Sequence, residues 1–260
     1  MHQPDLRISV IDVEAGALLS ATVPALTAGE IHVWSFSLAA PAPRLASCDQ
    51  LLSSDERTRA SRFHFERDAN RFTVARGTVR AILGAYLRTP AAELIFVSGQ
   101  NGKPALADPT SDLRFNVSHS GDRGLLGVAL GCEIGVDVEA IRPDVETDKL
   151  AERFFSEHER QSIRKLPGKE RVLAFFRCWT CKEAFLKGQG VGLSRSLGSF
   201  DVEVNPAQPA RLLATRPDAR EAAKWHLHDV ATVPNYAAAV AVEGSVLGGS
   251  VTEMKVLRCE

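Results

Sequence analysis

Short apolar runs of two different periodicities alternate along this chain. Large apolar and smaller residues alternate over Ile31–Leu38, as they do in a half-buried strand. Between Phe72 and Leu87 the apolar residues recur at helical spacing instead. No apolar run approaches the roughly 20 residues that a membrane-spanning helix needs. A chain that mixes these two periods is typical of an α+β protein, whose helices and strands pack in layers around a core.

The same reasoning predicts the order of the remaining elements. Capping residues and acids at 53–56 start a helix that reaches Leu87, and Thr89-Pro90 ends it. Asn101-Gly102 predicts a tight turn. Strands are expected at 94–97, 115–117, 125–130, 134–141, 199–204 and within 225–242, and helices at 148–155, 157–166 and 172–187. This order predicts two α+β halves, residues 1–130 and 131–260.

Composition and charge narrow the range of functions. The 260 residues fit one large domain or two compact halves. With 31 basic and 32 acidic residues, the chain lacks the basic excess of a dedicated nucleic-acid binder. The first 19 residues do not have the pattern of a secretory signal peptide, and five cysteines do not indicate a disulfide framework. We therefore expect a cytoplasmic protein that binds neither membrane nor nucleic acid.

Two carboxylates lie two residues apart in Ile134-Gly-Val-Asp-Val-Glu139. On a strand, Asp137 and Glu139 leave the same face. Two carboxylates on one face repel each other unless a cation lies between them, and such oxygen ligands suit Mg²⁺. The alternative from spacing alone is an acidic strand edge that faces solvent.

A second charged pair lies in the segment Trp179–Lys187. Glu183 and Lys187 are i,i+4 neighbours on a helix, which is compatible with a simple surface ion pair. The aromatic residues Phe175, Phe176 and Trp179 just before them indicate that this helix is largely buried. Buried charges need a partner or a chemical task.

Three further segments contain residues that could contact a ligand. Cys178 and Cys181 form a C-x-x-C, but it lies within a helix and lacks a second Cys/His pair for zinc. His119, beside Ser118 at a junction of strand and turn, is either a structural turn residue or a donor to a phosphate. The turn at Asn101-Gly102 presents Lys103 at a loop tip. The arginine-rich segment 55–80 is mainly typical of a helix face that is exposed to solvent.

In this order and spacing, the segments resemble one family: the 4′-phosphopantetheinyl transferases of the surfactin-synthetase-activating type. Ile134-Gly-Val-Asp137, followed after a spacer of some forty residues by Trp179-Thr-Cys-Lys-Glu-Ala-Phe-Leu-Lys187, meets every specified position of the family pattern. Gly102-Lys-Pro104 and Phe115-Asn-Val-Ser-His-Ser120 look like the family's phosphate-contacting segments. Residues 59–68 are similar to its nucleotide-contacting helix.

The resemblance implies a fold, a reaction and a metal site. The fold is a pseudo-twofold pair of similar α/β halves with the substrate between them. The reaction moves the 4′-phosphopantetheine arm of coenzyme A onto a serine of an apo acyl or peptidyl carrier protein and leaves 3′,5′-ADP. Mg²⁺, or Mn²⁺ in its place, would be held by Asp137, Glu139 and Glu183.

The resemblance also assigns roles to residues around the phosphates. Glu183, directly or through a metal-bound water, is the candidate base for the serine proton, and Lys187 and His119 would stabilise phosphate charge. Arg59, Lys103 and Ser118 would hold coenzyme A, with Arg57, Arg71 and Arg76 as competitors for the place of Arg59. Chains of this kind in the family are monomers. The alternatives are another Mg²⁺-dependent enzyme of phosphate esters and a non-catalytic carrier-binding module.

Overall fold

The computed structural model describes residues 7–13, 23–231, 234–244 and 253–259. Its strands are β1 Arg7–Val13, β2 Glu30–Ser37, β3 Phe96–Ser98, β4 Pro104–Leu106, β5 Leu113–Ser120, β6 Arg123–Leu130, β7 Ile134–Ala140, β8 Phe200–Val202, β9 Leu212–Thr215, β10 Trp225–Asp229, β11 Tyr236–Glu243 and β12 Glu253–Cys259. Its α-helices are α1 Ala42–Leu51, α2 Ser54–Ala60, α3 Glu66–Leu87, α4 Thr147–Phe154, α5 Glu157–Arg164 and α6 Gly168–Gln189. None of the helices described is long and apolar enough to cross a membrane.

Two sheets repeat one topology. In the first, strand β2 leads through α3 to the hairpin β5–β6, and β6 lies between β2 and β5. In the second, β7 leads through α6 to β10 and β11, and β11 lies between β10 and β7. Both helices have 22 residues. The predicted α+β fold, made of two similar halves, is confirmed.

The core is divided into three clusters that define four layers. One cluster joins α3 to the outer face of the first sheet through residues such as Trp34, Val79 and Leu126. A second joins α6 to the outer face of the second sheet, with Phe185 and Ala239 at its centre. The third lies between the two sheets and includes residues of both, such as Val33, Val136 and Val240. The layers therefore run helix, sheet, sheet, helix, and the apolar face of each sheet is buried against the other.

The last described strand, β12, lies in the other half from the one that the sequence predicts for it. Strand β12 pairs with β1 in parallel, and β1 pairs with β2, so both join the sheet of the first half. The predicted division near residue 131 falls between β6, which ends at Leu130, and β7, which begins at Ile134. Residues 253–259 were expected in the second half and lie in the first, because strand pairing is a long-range contact.

Several local expectations differ from the structure, and another is confirmed. The helix expected over 53–87 is two helices, because Phe65 has an extended backbone before α3 begins. Strand β5 continues through Ser120, so His119 lies within a strand and not at its junction with a turn. The predicted turn at Asn101-Gly102 is confirmed, with positive φ angles of 59° and 80°. Sequence reasoning missed β1, α1, β4, β9 and β12; Pro41 and Pro43, which it read only as a strand end, begin α1.

Candidate functional site

Helix α6 lies directly on strand β7 at Gly135. A Cβ atom at this position would lie 2.0 Å from the backbone oxygen of Ala184 and 2.2 Å from the backbone nitrogen of Gly188. Only glycine allows this approach, because any other residue would overlap the helix backbone. The contact brings Glu183 and Lys187 of the helix next to Asp137 and Glu139 of the strand.

A row of polar side chains joins strand β5 to strand β7. Each strand is the edge of its own sheet among the described strands, so the outward backbone N–H groups of β7 lack a strand partner there. The Asn116 side-chain oxygen accepts the Val136 N–H at 3.0 Å, the Ser118 hydroxyl accepts that of Val138 at 3.4 Å, and Ser120 accepts that of Ala140 at 3.1 Å. These side chains thus satisfy donors that burial would otherwise leave unpaired. We call this row the β5–β7 seam.

The carboxylates of β7 lie on the seam and are partly removed from water. Asp137 is only 2% exposed, and burial raises its pKa although the Lys187 ammonium opposes the shift. Burial also raises the pKa of Glu139 and of Glu183, and the negative charge of Asp137 raises both further. The three carboxylates predicted from the sequence are therefore close enough to repel one another.

Lys187 neutralises part of this negative charge. Its Nζ lies 2.6 Å from Asp137 Oδ1 and donates at 2.9 Å to the Ser118 hydroxyl. Among the described ion pairs, Lys187 therefore pairs across the helix–strand contact with Asp137 and not with Glu183 along its own helix. The simple surface pair that the helical spacing allowed is not the arrangement that the fold produces.

The carboxylates of Asp137, Glu139 and Glu183 are suitable ligands for a divalent cation that prefers oxygen. Asp137 Oδ2 is buried and has no hydrogen-bond partner among the residues that the structure describes. Mg²⁺ takes oxygen ligands, usually one or two carboxylates together with water and substrate phosphates, and the three carboxylates here can supply them. Over the same residues, however, no three His, Cys, Asp or Glu side chains already stand in a metal-binding arrangement. The Lys187 ammonium pairs with Asp137 Oδ1 instead. The site therefore contains suitable metal ligands, and a lysine balances part of their negative charge.

Two positive charges, those of Lys187 and Arg59, act on His119. The protein atoms packed around part of its ring lower its pKa, although the side chain is exposed, and the charges of Lys187 and Arg59 lower it further. Arg59 itself is exposed and lies over the Phe72 ring at 5.2 Å. Lys187 and Arg59 are thus near enough to His119 for their charges to act on it, and positive charges close together favour an anionic ligand such as a phosphate.

The competing arginines are engaged elsewhere. Arg57 donates to the Asp49 carbonyl, Arg71 pairs with Asp122, and Arg76 pairs with Glu56. Arg59 has no anionic partner within the described part of the chain, which favours it as the arginine available to a ligand.

Lys103 does not lie free at a loop tip. Its Nζ donates at 2.6 Å to Glu133 and at 2.8 Å to the backbone oxygen of Gly188, so it bridges the two halves. Lys103 and Lys187 both line a cavity of about 200 Å³, together with Gly102, Gly190 and Gly192. A ligand phosphate at this cavity would have to compete with Glu133 for the ammonium.

Ser118, the expected donor to coenzyme A, is bonded to a carboxylate of the site. Its hydroxyl has one proton, which it donates to Asp137 Oδ1 at 2.8 Å. Sequence reasoning missed Ser120, which makes the matching bond to Glu139 at 2.7 Å. The signal was the alternation of Asn116, Ser118 and Ser120, which puts three polar side chains on one face of a strand.

The cysteine pair of α6 belongs to the core. Cys178 and Cys181 are fully buried and free, and burial raises the pKa of both thiols. Thiols of this kind stay protonated and are poor nucleophiles and metal ligands.

Two family patterns match adjoining parts of the chain. The pattern described as "4′-phosphopantetheinyl transferase superfamily" matches residues 133–241, and that described as "4′-phosphopantetheinyl transferase, N-terminal" matches residues 41–129. The second thus covers most of the first half, and the first covers the site carboxylates and α6.

Relatives of known name match over much of the chain. The 4′-phosphopantetheinyl transferase HetI of Nostoc sp. is 39% identical over 221 residues, which is 84% of this chain and 90% of that protein. The 4′-phosphopantetheinyl transferase Sfp of Bacillus subtilis is 31% identical over 154 residues, 59% of this chain and 67% of that protein. Among solved structures, the holo-[acyl-carrier-protein] synthase of Thermotoga maritima matches 44% of this chain and 64% of that one, with 22% identity and a TM-score of 0.35. The identity to HetI over most of both chains confirms the transferase class expected from the motifs: the chain belongs to the 4′-phosphopantetheinyl transferase superfamily.

Proposed function

We propose that this protein transfers the 4′-phosphopantetheine group of coenzyme A to a serine hydroxyl of an apo acyl or peptidyl carrier protein and releases 3′,5′-ADP. The observation that carries the proposal is the meeting of β7 and α6 at Gly135, which gathers three carboxylates beside a lysine. Family membership supports the same reaction. The positive charges of Lys187 and Arg59 near His119 favour an anionic ligand such as a phosphate.

Each residue is assigned a part in the displacement. The carrier serine oxygen forms a new bond to the phosphorus that bears the pantetheine arm, and the bond from this phosphorus to the bridging oxygen of the pyrophosphate breaks. Glu183 accepts the serine proton, the part of a general base, from its place beside the other two carboxylates. Lys187 and His119 stabilise charge on the phosphates as 3′,5′-ADP leaves.

Asp137, Glu139 and Glu183 would hold Mg²⁺ or Mn²⁺. The buried, unpartnered Asp137 Oδ2 supports this assignment. When bound, the cation would supply positive charge that neutralises the pyrophosphate. Arg59 and Lys103 would hold the outer phosphates of coenzyme A. Ser118 would act chiefly through Asp137, since its proton is donated there.

The proposal extends to the setting of the reaction. We place the enzyme in the cytoplasm as a monomer that binds neither membrane nor nucleic acid. The formal net charge of −1 supports the last point, because nucleic-acid binders neutralise phosphates with an excess of basic residues.

Mass spectrometry of a panel of apo carrier proteins tests the function. After incubation with coenzyme A and Mg²⁺, we expect at least one carrier to gain the mass of phosphopantetheine. Release of 3′,5′-ADP should require the apo carrier; release without a carrier would indicate a hydrolase. Asp137→Asn is the matched control, since it keeps the shape of the side chain but removes its charge. A folded wild-type protein that modifies no carrier and releases no 3′,5′-ADP would contradict the proposal.

A further inference from the structure

The β5–β7 seam has a constant register. In each bond to a β7 backbone N–H, the acceptor on β5 and the donor on β7 are 20 residues apart. The two serines also donate to the carboxylate 19 residues ahead, Ser118 to Asp137 and Ser120 to Glu139. A constant offset means that the two strands run in the same direction, with β5 side chains in place of backbone partners.

Ser120 has both of its hydrogen-bonding directions set by β7. Its oxygen accepts the Ala140 N–H at 3.1 Å, which holds the oxygen in place through a rigid backbone group. Its single proton is then directed to Glu139 Oε2 at 2.7 Å. A hydrogen bond to a carboxylate is stronger than one between neutral groups, so this bond restricts how the long Glu139 side chain can turn.

The other two members of the seam show what is particular to Ser120. Lys187 also contacts Asp137 directly, so Ser118 is one of two groups that hold that carboxylate. At Asn116 the residue 19 positions ahead is Gly135, which has no side chain to orient. Asn116 therefore contributes to the seam alone, whereas Ser120 contributes both to the seam and to Glu139.

We propose that Ser120 is a positioning residue, which orients the Glu139 carboxylate toward the divalent cation of this enzyme. The proposal rests on the proposed function, in which Glu139 is a metal ligand. Groups that hydrogen-bond to a metal ligand fix its orientation, and their loss costs about 10- to 100-fold in metal affinity or activity. The same loss is expected here when the Ser120 hydroxyl is removed.

Binding of Mn²⁺ tests this directly, without turnover. Mn²⁺ is titrated into the full-length protein in the presence of coenzyme A but no carrier, and the free ion is followed by electron paramagnetic resonance. We expect Ser120→Ala to bind Mn²⁺ about 10- to 100-fold more weakly than the wild type. Ser120→Thr, which keeps the hydroxyl, should restore most of that affinity. In transfer assays, excess Mg²⁺ should recover much of the Ser120→Ala rate, as a defect in metal affinity requires.

Asn116→Ala is the control for a merely structural seam. It removes a bond of the same kind to the same strand, so it should lower the melting temperature but leave Mn²⁺ affinity unchanged. Unchanged Mn²⁺ affinity in Ser120→Ala, an equal loss in Asn116→Ala, or a failure of Ser120→Thr to restore affinity would each overturn the positioning role. Each of these results can occur in an active transferase, so they leave the proposed function intact. A wild-type protein that binds no Mn²⁺ would instead overturn the metal site and, with it, this proposal.

Discussion

Gly135→Ala is the perturbation that the geometry specifies most closely. The added Cβ would lie 2.0 Å from the Ala184 backbone oxygen and would have to gain about 1.4 Å to reach the 3.4 Å of ordinary contact. The Gly188 backbone nitrogen, at 2.2 Å, blocks the same space. Both obstacles are backbone atoms of a buried helix, so no side chain can rotate away. The helix α6 must move off strand β7 by about 1 Å or more.

Such a displacement has two consequences of different size. Forcing an extra methyl group into a packed core costs about 1–3 kcal/mol, which corresponds to a fall in Tm of about 2–12 °C for a chain of this length. The loss of catalytic rate should be more pronounced than the loss of stability. Glu183 and Lys187 move with the helix while Asp137 and Glu139 stay on the strand, and a misplacement of about 1 Å can cost about 100-fold in rate.

Differential scanning calorimetry and the carrier-modification rate measure the two effects on one preparation. Gly168→Ala is the matched control, because it makes the same change in the first turn of the same helix and a Cβ there meets no atom within 4 Å. It should keep the wild-type rate and leave Tm unchanged or slightly higher. A Gly135→Ala protein with wild-type Tm and kcat would refute the close helix–strand contact as the origin of the site.

Three further substitutions test other parts of the molecule. Glu183→Gln should lower kcat about 100- to 10,000-fold with little change in coenzyme A affinity, since it removes the proposed base and not the phosphate contacts; near-normal kcat would remove Glu183 from the chemical step. Lys182→Met should cost about 3–5 kcal/mol in urea unfolding, because Glu159, its fully buried partner at 2.7 Å, would lose its counter-charge; a loss below about 1 kcal/mol would contradict this. Burial lowers the pKa of His228 from 6.5 to about 4, so the unfolded chain binds more protons between these values and stability falls as the pH drops below 6.5. His228→Gln should remove up to about 3 kcal/mol of that acid dependence, and equal slopes in the two proteins would count against it.

The local motifs of the site could be predicted because their chemistry depends on residues close in sequence. Asp137 and Glu139 share a face by the two-residue period of a strand, and Glu183 and Lys187 lie one turn apart on a helix. Positions of this kind follow from backbone geometry alone. The order of the elements likewise predicted the α+β class, since each period is a property of one short segment.

The partners of these residues could not be predicted, because they come from distant parts of the chain. Nothing local indicates that Lys187 pairs with Asp137, or that Lys103 bridges to Glu133 and Gly188. Strand β12 also joins the sheet of the first half through pairing with β1, at the opposite end of the sequence. Such contacts depend on which surfaces meet when the layers pack.

The seam marks the boundary between what the sequence alone determined and what required the fold. The sequence by itself placed the carboxylates Asp137 and Glu139 on one face of a strand, and it predicted a second, shorter strand that ended before Ser118. Only the tertiary structure decided that these two strands are neighbouring sheet edges, where buried N–H groups of β7 need acceptors. The physical reason is that a side chain's periodicity is set by its own backbone, whereas its hydrogen-bond partner is set by the packing of the two halves.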